Sequence, residues 1–334
     1  MYFQIKGGVF MGFMKRSGLR LLVLSGFVLL SLFLLGGCNK ATQTSASVKN
    51  INITYVKSPL NVPSIVEKKQ QLFEKEFGKD GIGLKFPEIT SGAKQTEALA
   101  SGDLDFCNAL GGTSVILAAS NGVDVKIVSM YSRAPKAFMI LAKSPDIKSI
   151  SDLKGKKVGG PKGTVLHQLL LAALDKNNLK PGDVQFVSLD IPSAVAALQN
   201  GSIDAALAAG ADANRTIASG ARVLTDGDGL IEGMSVVGVR GDFLKNHPDL
   251  VKRFEKVQQE SLDFMKQNPD AANQLCADEL GISVADVKQM LSWYDFDPQI
   301  RPDDIQDLQA TQDFLYNNGM MTKKIDIQDL IAKS

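Results

Sequence analysis

One stretch of this chain occurs twice, and the repetition limits the folds open to it. Ala98-Leu99-Ala100-Ser101-Gly102-Asp103-Leu104-Asp105 returns as Ala197-Leu198-Gln199-Asn200-Gly201-Ser202-Ile203-Asp204. Each copy reads as a helix stopped by a glycine in the left-handed cap position and turned directly into a strand. Apolar residues follow each Asp, then a small-residue turn (Gly111-Gly112; Ala209-Gly210), then a helix ending near Gly122 or Gly220. A single helix–glycine–strand turn is common. Two copies with matched flanks predict two similar α/β lobes.

The surrounding pattern supports this. Strands are expected at 51–56, 82–86, 104–109, 125–130, 137–142, 157–159, 184–189, 203–208 and 234–240. Helices are expected at 64–77 and 94–100, and between the later strands. Such alternation predicts parallel sheets with crossover helices. Beyond Asp242 the pattern turns helical, over 247–267, 270–280, 283–293 and 302–317, with Asp270 and Ser283 as N-caps and Gly281 as a C-terminal stop.

The N-terminal region is of another kind. Lys15, Arg16 and Arg20 precede the apolar run Leu21 to Leu35, which Ser25, Gly26 and Ser31 interrupt, and Leu35-Gly36-Gly37-Cys38 closes it. A basic start, a short apolar middle and small residues before a cleavage point describe an export signal. The run is short for a spanning helix, which needs about 20 apolar residues. Its last four residues resemble the lipobox of bacterial lipoproteins, which implies cleavage before a diacylated Cys38 and a place on the outer face of the cytoplasmic membrane. Residues 1–37 are thus read as a signal peptide with an upstream extension, and the polar stretch 38–50 as a lipidated tether.

Residues 1–37 carry Lys6, Lys15, Arg16 and Arg20 and no acid, so removing them takes the net charge from +1 to −3. That charge offers no footprint for nucleic acid. Cys107 and Cys276 remain, both among apolar or helical neighbours, and read as buried thiols. Enzymatic signals are thin. His167 and His247 are the only histidines, without metal-ligand spacing around them. Gly159-Gly160-Pro161-Lys162-Gly163-Thr164 lacks the Gly-Lys-Ser/Thr ending of a phosphate loop. No cofactor is expected.

Ligands of open α/β sheets bind beyond the carboxyl ends of the strands, where helix N-termini offer free N–H groups to an anion. The loops there contain Ser58 and Asn61, Gly112, Thr113 and Ser114, Arg133, Gly163 and Thr164, and Asp212. The hydroxyl residues are equally suited to capping their helices. Arg133 offers a planar fork that would clamp a sulfonate or carboxylate, although a surface ion pair is the ordinary role for such a residue. Asp212 suits an amine or a helix cap. Trp293 and Tyr294 read as core.

Several segments, Thr96 to Phe106, Ile150 to Gly159 (Ile-Ser-Asp-Leu-Lys-Gly-Lys-Lys-Val-Gly), Gly163 to Leu170 and Lys323 to Ile327, resemble the substrate-binding lipoproteins of ABC importers. The likeness is to the aliphatic sulfonate, taurine and nitrate group, related to thiamine-pyrimidine synthases, and it spans nearly all of residues 50–330. The resemblance implies a two-lobed periplasmic-binding-protein fold (type II), with lobe 1 at 51–137 and lobe 2 at 143–232. Residues 233–334 would form a second crossover and C-terminal helices packing on lobe 1. The two crossover strands would lie near 137–142 and 233–239. It also implies a monomeric receptor that closes on a small organic anion and serves an ABC importer permease. One departure bears on the ligand. Many sulfonate binders carry a Trp-Asp-Pro-Tyr-like stretch where this chain has Ala209-Gly210-Ala211-Asp212-Ala213-Asn214. A thiamine pyrimidine precursor, a nitrate-like ion and an aromatic acid are therefore alternative ligands. The related pyrimidine synthases carry a cysteine-rich motif that this chain lacks.

Overall fold

The structure, a computed structural model, describes residues 48–57 and 59–333. The export segment, Cys38 and Ser58 lie outside the described residues.

The first half of the body builds β1 (Asn50–Asn52), α1 (Val62–Lys69), α2 (Leu72–Phe77), β2 (Gly83–Lys85), α3 (Gly92–Ser101), β3 (Phe106–Gly111), α4 (Gly112–Ser120) and β4 (Val125–Arg133). The second half builds β5 (Phe138–Ala142), β6 (Lys157–Gly160), α5 (Val165–Lys176), β7 (Gln185–Ser188), α6 (Ile191–Gln199), β8 (Ala205–Ala209), α7 (Gly210–Ala218) and β9 (Arg222–Asp226). Then come β10 (Met234–Arg240), α8 (Gly241–Asn246), α9 (Pro248–Gln267), α10 (Pro269–Leu280), α11 (Val284–Leu291) and α12 (Pro302–Asn317).

The two sheets have the same plan. In the second lobe the order is β7-β6-β8-β5-β9, with β6 parallel to its neighbours and β5 antiparallel to both of its own. In the first, β1 pairs with β2, a bridge from Ile53 to Phe106 reaches β3, and β10 lies antiparallel between β3 and β4. Each sheet therefore takes its one antiparallel strand from the chain arriving from the other lobe. The segments of 137–142 and 233–239 are thus sheet strands, and the crossings themselves are shorter, over 134–137 and 227–233. These crossings run side by side, Ala134 N–H donating to the Gly233 carbonyl at 3.3 Å.

The duplicated turn sits at equivalent places in the two plans. Gly102 closes α3 at φ 83° and Gly201 follows α6 at φ 77°, a conformation that costs other residues steric strain. The C-terminal helices return to the first lobe: α9 and α10 pack on α1, and α12 on α4. Phe106 of β3 stacks on Phe254 of α9 with ring centroids 4.0 Å apart, which joins that return to the sheet. Trp293 packs against the cores of both lobes.

Three local expectations are corrected. The helix expected over 64–77 breaks at Gln71, whose φ is 52°. The break lets two apolar faces point at different targets: Val62, Ile65 and Val66 toward α10, and Phe73 and Phe77 toward α9. Asn268, not Asp270, occupies the N-cap of α10, because Pro269 suits the first helical position. The pattern also missed β9, an edge strand whose side chains are nowhere fully buried. Both Cys107 and Cys276 are buried and unpaired, and burial pushes the Cys276 thiol up to about 12.

Candidate functional site

The N-termini of α4 and α5, from opposite lobes, meet. Gly111 ends β3 in extended backbone and Gly112 opens α4, so Thr113 and Ser114 fall in the first turn. Their hydroxyls do not cap their own helix. Ser114 Oγ donates to the Gly163 carbonyl at 3.0 Å, and Thr113 Oγ1 donates to Gln168 Oε1 at 2.6 Å. Gly163 has φ 72° and its N–H reaches His167 Nδ1 at 3.3 Å. Thr164 stands at the N-cap of α5, but its hydroxyl turns back to the Pro161 carbonyl at 2.8 Å. The first turns of α4 and α5, with Gly112, Thr113, Ser114, Gly163 and Thr164, are therefore brought together across the lobes.

A second inter-lobe approach involves the loop before α1 and the start of α7. Asn61, 2% exposed, donates from Nδ2 to the Val56 carbonyl at 2.7 Å and so folds the 57–61 loop upon itself. Pro59 of that loop accepts from Ala211 N–H at 3.3 Å. Asp212, one residue on, lies in the first turn of α7 and accepts from Arg215.

Arg133 departs from its expectation. All five N–H donors of its guanidinium are taken within the chain: Nε and Nη2 by Asp304, Nη1 by Asp295 and the Asp297 carbonyl, and Nη2 also by the Gln299 carbonyl. No donor is left to clamp a ligand. The residue instead staples segment 295–304 to the end of β4, where Arg133 and Asp295 also exchange backbone hydrogen bonds. Burial alone would raise the Asp304 carboxyl, but hydrogen bonds from Arg133 and the Arg301 N–H outweigh it and hold it below the usual range. Arg133→Lys keeps the charge but cannot span these five acceptors. We expect it to lower unfolding free energy by about 2 kcal/mol in urea titration; a loss under about 0.5 kcal/mol would contradict the staple.

Beneath the first lobe's loops lies a polar network that the sequence pattern does not announce. Glu67 of α1 is 2% exposed and has no cation beside it. Its Oε2 accepts from Asn108 Nδ2 at 2.9 Å and its Oε1 from Ser261 Oγ at 3.4 Å. Asn108 Nδ2 also donates to Ser64 Oγ, which pairs with the Tyr131 hydroxyl at 2.8 Å, and Gln258 Nε2 donates to Asn108 Oδ1. Burial pushes the Glu67 carboxyl up from 4.5 to about 8, against the lowering effect of its two hydrogen bonds. The network joins α1, β3, β4 and α9 at the roots of the loops at 57–61 and 111–114. Asn108, a polar residue inside the apolar run of β3, was the available signal.

The hydroxyls of Thr113, Ser114 and Thr164 donate to an amide or to carbonyls, not to a base that would activate them. His167 stacks on Phe186, and burial, with Lys162 nearby, lowers it to about 4, so its ring is neutral.

Two α/β lobes of one strand plan, joined by paired crossings and facing each other through helix N-termini, define the class of two-lobed binding-protein folds. Within it the chain belongs to the NMT1/THI5-like family, which matches residues 63–272. It is 32% identical over 306 residues to a Bacillus subtilis protein named "Putative aliphatic sulfonates-binding protein", covering 90% of this chain and 91% of that one. The taurine-binding periplasmic protein of Escherichia coli is 33% identical over 224 residues, 66% of this chain and 68% of its own. Among solved structures, the alkanesulfonate-binding protein SsuA from Xanthomonas axonopodis pv. citri, bound to MOPS, has a TM-score of 0.79 at 24% identity. That match covers 86% of this chain and all of the other.

Proposed function

We propose that this chain is the solute-binding receptor of an ABC importer, capturing a small organic anion of the alkanesulfonate or taurine class and delivering it to a membrane permease. The observation that carries the reading is the meeting of the α4 and α5 N-termini across the two lobes. Helix N-termini carry partial positive charge and N–H groups without intrahelical partners, so two of them brought together would suit a three-oxygen head group. Gly112, Thr113, Ser114, Gly163 and Thr164 would hold that head, and Asn61 would close the rim. Asp212 would face the amine of a taurine-like solute. With Arg133 engaged elsewhere, recognition would rest on hydrogen bonds and dipoles and not on a fixed cation.

Capture would occur by closure of the lobes about the side-by-side crossings at 134–137 and 227–233. The receptor would act as a monomer, without a catalysed step. A diacylated Cys38 would hold it on the outer face of the cytoplasmic membrane, and the polar stretch after Cys38 would let it reach the permease. Mass spectrometry that finds Cys38 without lipid would refute the anchor.

The ligand is tested by melting the full chain with taurine, methanesulfonate, nitrate, benzoate and an aminopyrimidine. A solute at 100 times its Kd adds about 2.7 kcal/mol, a shift of roughly 5 °C or more. A saturable shift with the sulfonates is expected. A shift confined to another solute would overturn the sulfonate assignment and keep the receptor.

A further inference from the structure

We propose that Gln168 is a latch between the lobes, a positioning residue that sets how much of the protein has its two helix N-termini together. The inference rests on the receptor reading only in supposing that the lobes separate. Gln168 lies on α5, one turn beyond Thr164, and its side-chain amide bridges two elements of the other side. Oε1 accepts from Thr113 on α4 at 2.6 Å, and Nε2 donates to Thr311 on α12 at 3.2 Å. Thr113 is 1% exposed, Thr311 8% and Gln168 9%, so the chain of three is sheltered from water. The α12 helix packs directly on α4. The amide is thus seated in a notch made by two helices of the first lobe.

The remaining inter-lobe hydrogen bonds described above, Ser114 to Gly163 and Ala211 to Pro59, belong to the loops that would touch a solute. Thr311 touches none of them, so Thr311→Val weakens closure without altering a candidate contact, whereas Gln168→Leu also frees the Thr113 hydroxyl. The asymmetry of hydrogen-bond energetics gives the direction. Gln168→Leu removes both amide groups and leaves the Thr113 and Thr311 hydroxyls buried and unpaired when the lobes are together. When the lobes are apart, water satisfies both. The substitution therefore penalises the joined state alone, and it should raise the ratio of separated to joined lobes about tenfold.

The test is a double electron–electron resonance distance distribution in the full chain, with spin labels on cysteines placed at exposed Asp103 and Asn200, one per lobe. No solute is added, so the result stands apart from the ligand assignment. Gln168→Leu and Thr311→Val are each expected to move population to longer distances, and Thr311→Ser, which keeps the hydroxyl, to match the parent. Should Gln168→Leu fail to fold, Thr311→Val decides. Distributions unchanged by both substitutions, or a Thr311→Ser variant as open as Thr311→Val, would overturn the latch. A failed sulfonate melting screen would leave it standing.

Discussion

Glu67→Gln is expected to make the protein more stable at pH 9 by on the order of 4–5 kcal/mol, a rise in melting temperature of roughly 10 °C. Glu67 is buried without a cation, and its carboxyl is pushed up from 4.5 to about 8. A group whose folded value lies above its unfolded value holds its proton more tightly in the native state. Its stabilising effect is complete below about pH 4.5, is lost as pH climbs to about 8, and stays lost above that. Each pH unit in that window removes about 1.4 kcal/mol. Glutamine is the neutral form made permanent: its oxygen can accept from Asn108, and its Nε2 can donate to Ser261 Oγ while that hydroxyl donates to the Gln258 carbonyl at 2.8 Å. Urea titrations from pH 4 to 9 check this. The parent should lose stability through the window and the variant should lose much less. Parallel pH profiles for the two proteins would show that Glu67 is not the group responsible.

Gly210→Ala is expected to abolish solute binding, with affinity falling at least a hundredfold, while the protein stays folded. Gly210 opens α7 at φ 51°, and a Cβ there would lie 1.8 Å from the Pro59 carbonyl oxygen of the opposite lobe. That contact is backbone against backbone, so no side chain can turn aside. The lobes can relieve it only by moving apart, which dismantles the proposed site. Gly201→Ala is the matched control. It carries the same kind of backbone strain at φ 77° but meets nothing within 4 Å, and so should cost about 1 kcal/mol of stability and leave binding intact. Calorimetric titration with whichever solute stabilises the parent separates the two. Equal binding by Gly210→Ala and parent would rule out the close approach of α7 and Pro59 as a requirement.

Much of the architecture was legible because it is written in local signals. The paired Gly-x-Leu/Ile-Asp turns marked two lobes, and the structure places Gly102 and Gly201 at corresponding points of two sheets with one strand plan. The β10 strand was read at its true bounds, Met234–Arg240, since its buried residues are all apolar or small and rich in valine. Where exposure dilutes the pattern, as in β9, the reading failed. The 64–77 helix misled for another reason: its break serves two distant partners, α9 and α10, which the local sequence does not contain.

The site divides the same way. Glycine, serine and threonine before α4 and α5 could be recognised as helix starts, and those starts do meet across the lobes. That Arg133 would be absorbed by Asp304 and segment 295–304 could not, because those partners lie more than 160 residues away. Gln168 was within reach, sharing a helix face with Thr164, but its meaning depends on Thr311 at the far end of the chain.

The sequence by itself determined the repeated α/β unit, the helix starts at the strand ends and the apolar runs that become strands. These follow from backbone preference and periodicity within a few neighbouring residues. Only the tertiary structure decided which charges are satisfied internally, which carboxyl is buried, and which side chains cross between lobes. Those outcomes depend on desolvation and on distances between residues far apart in the chain, and no local pattern encodes either.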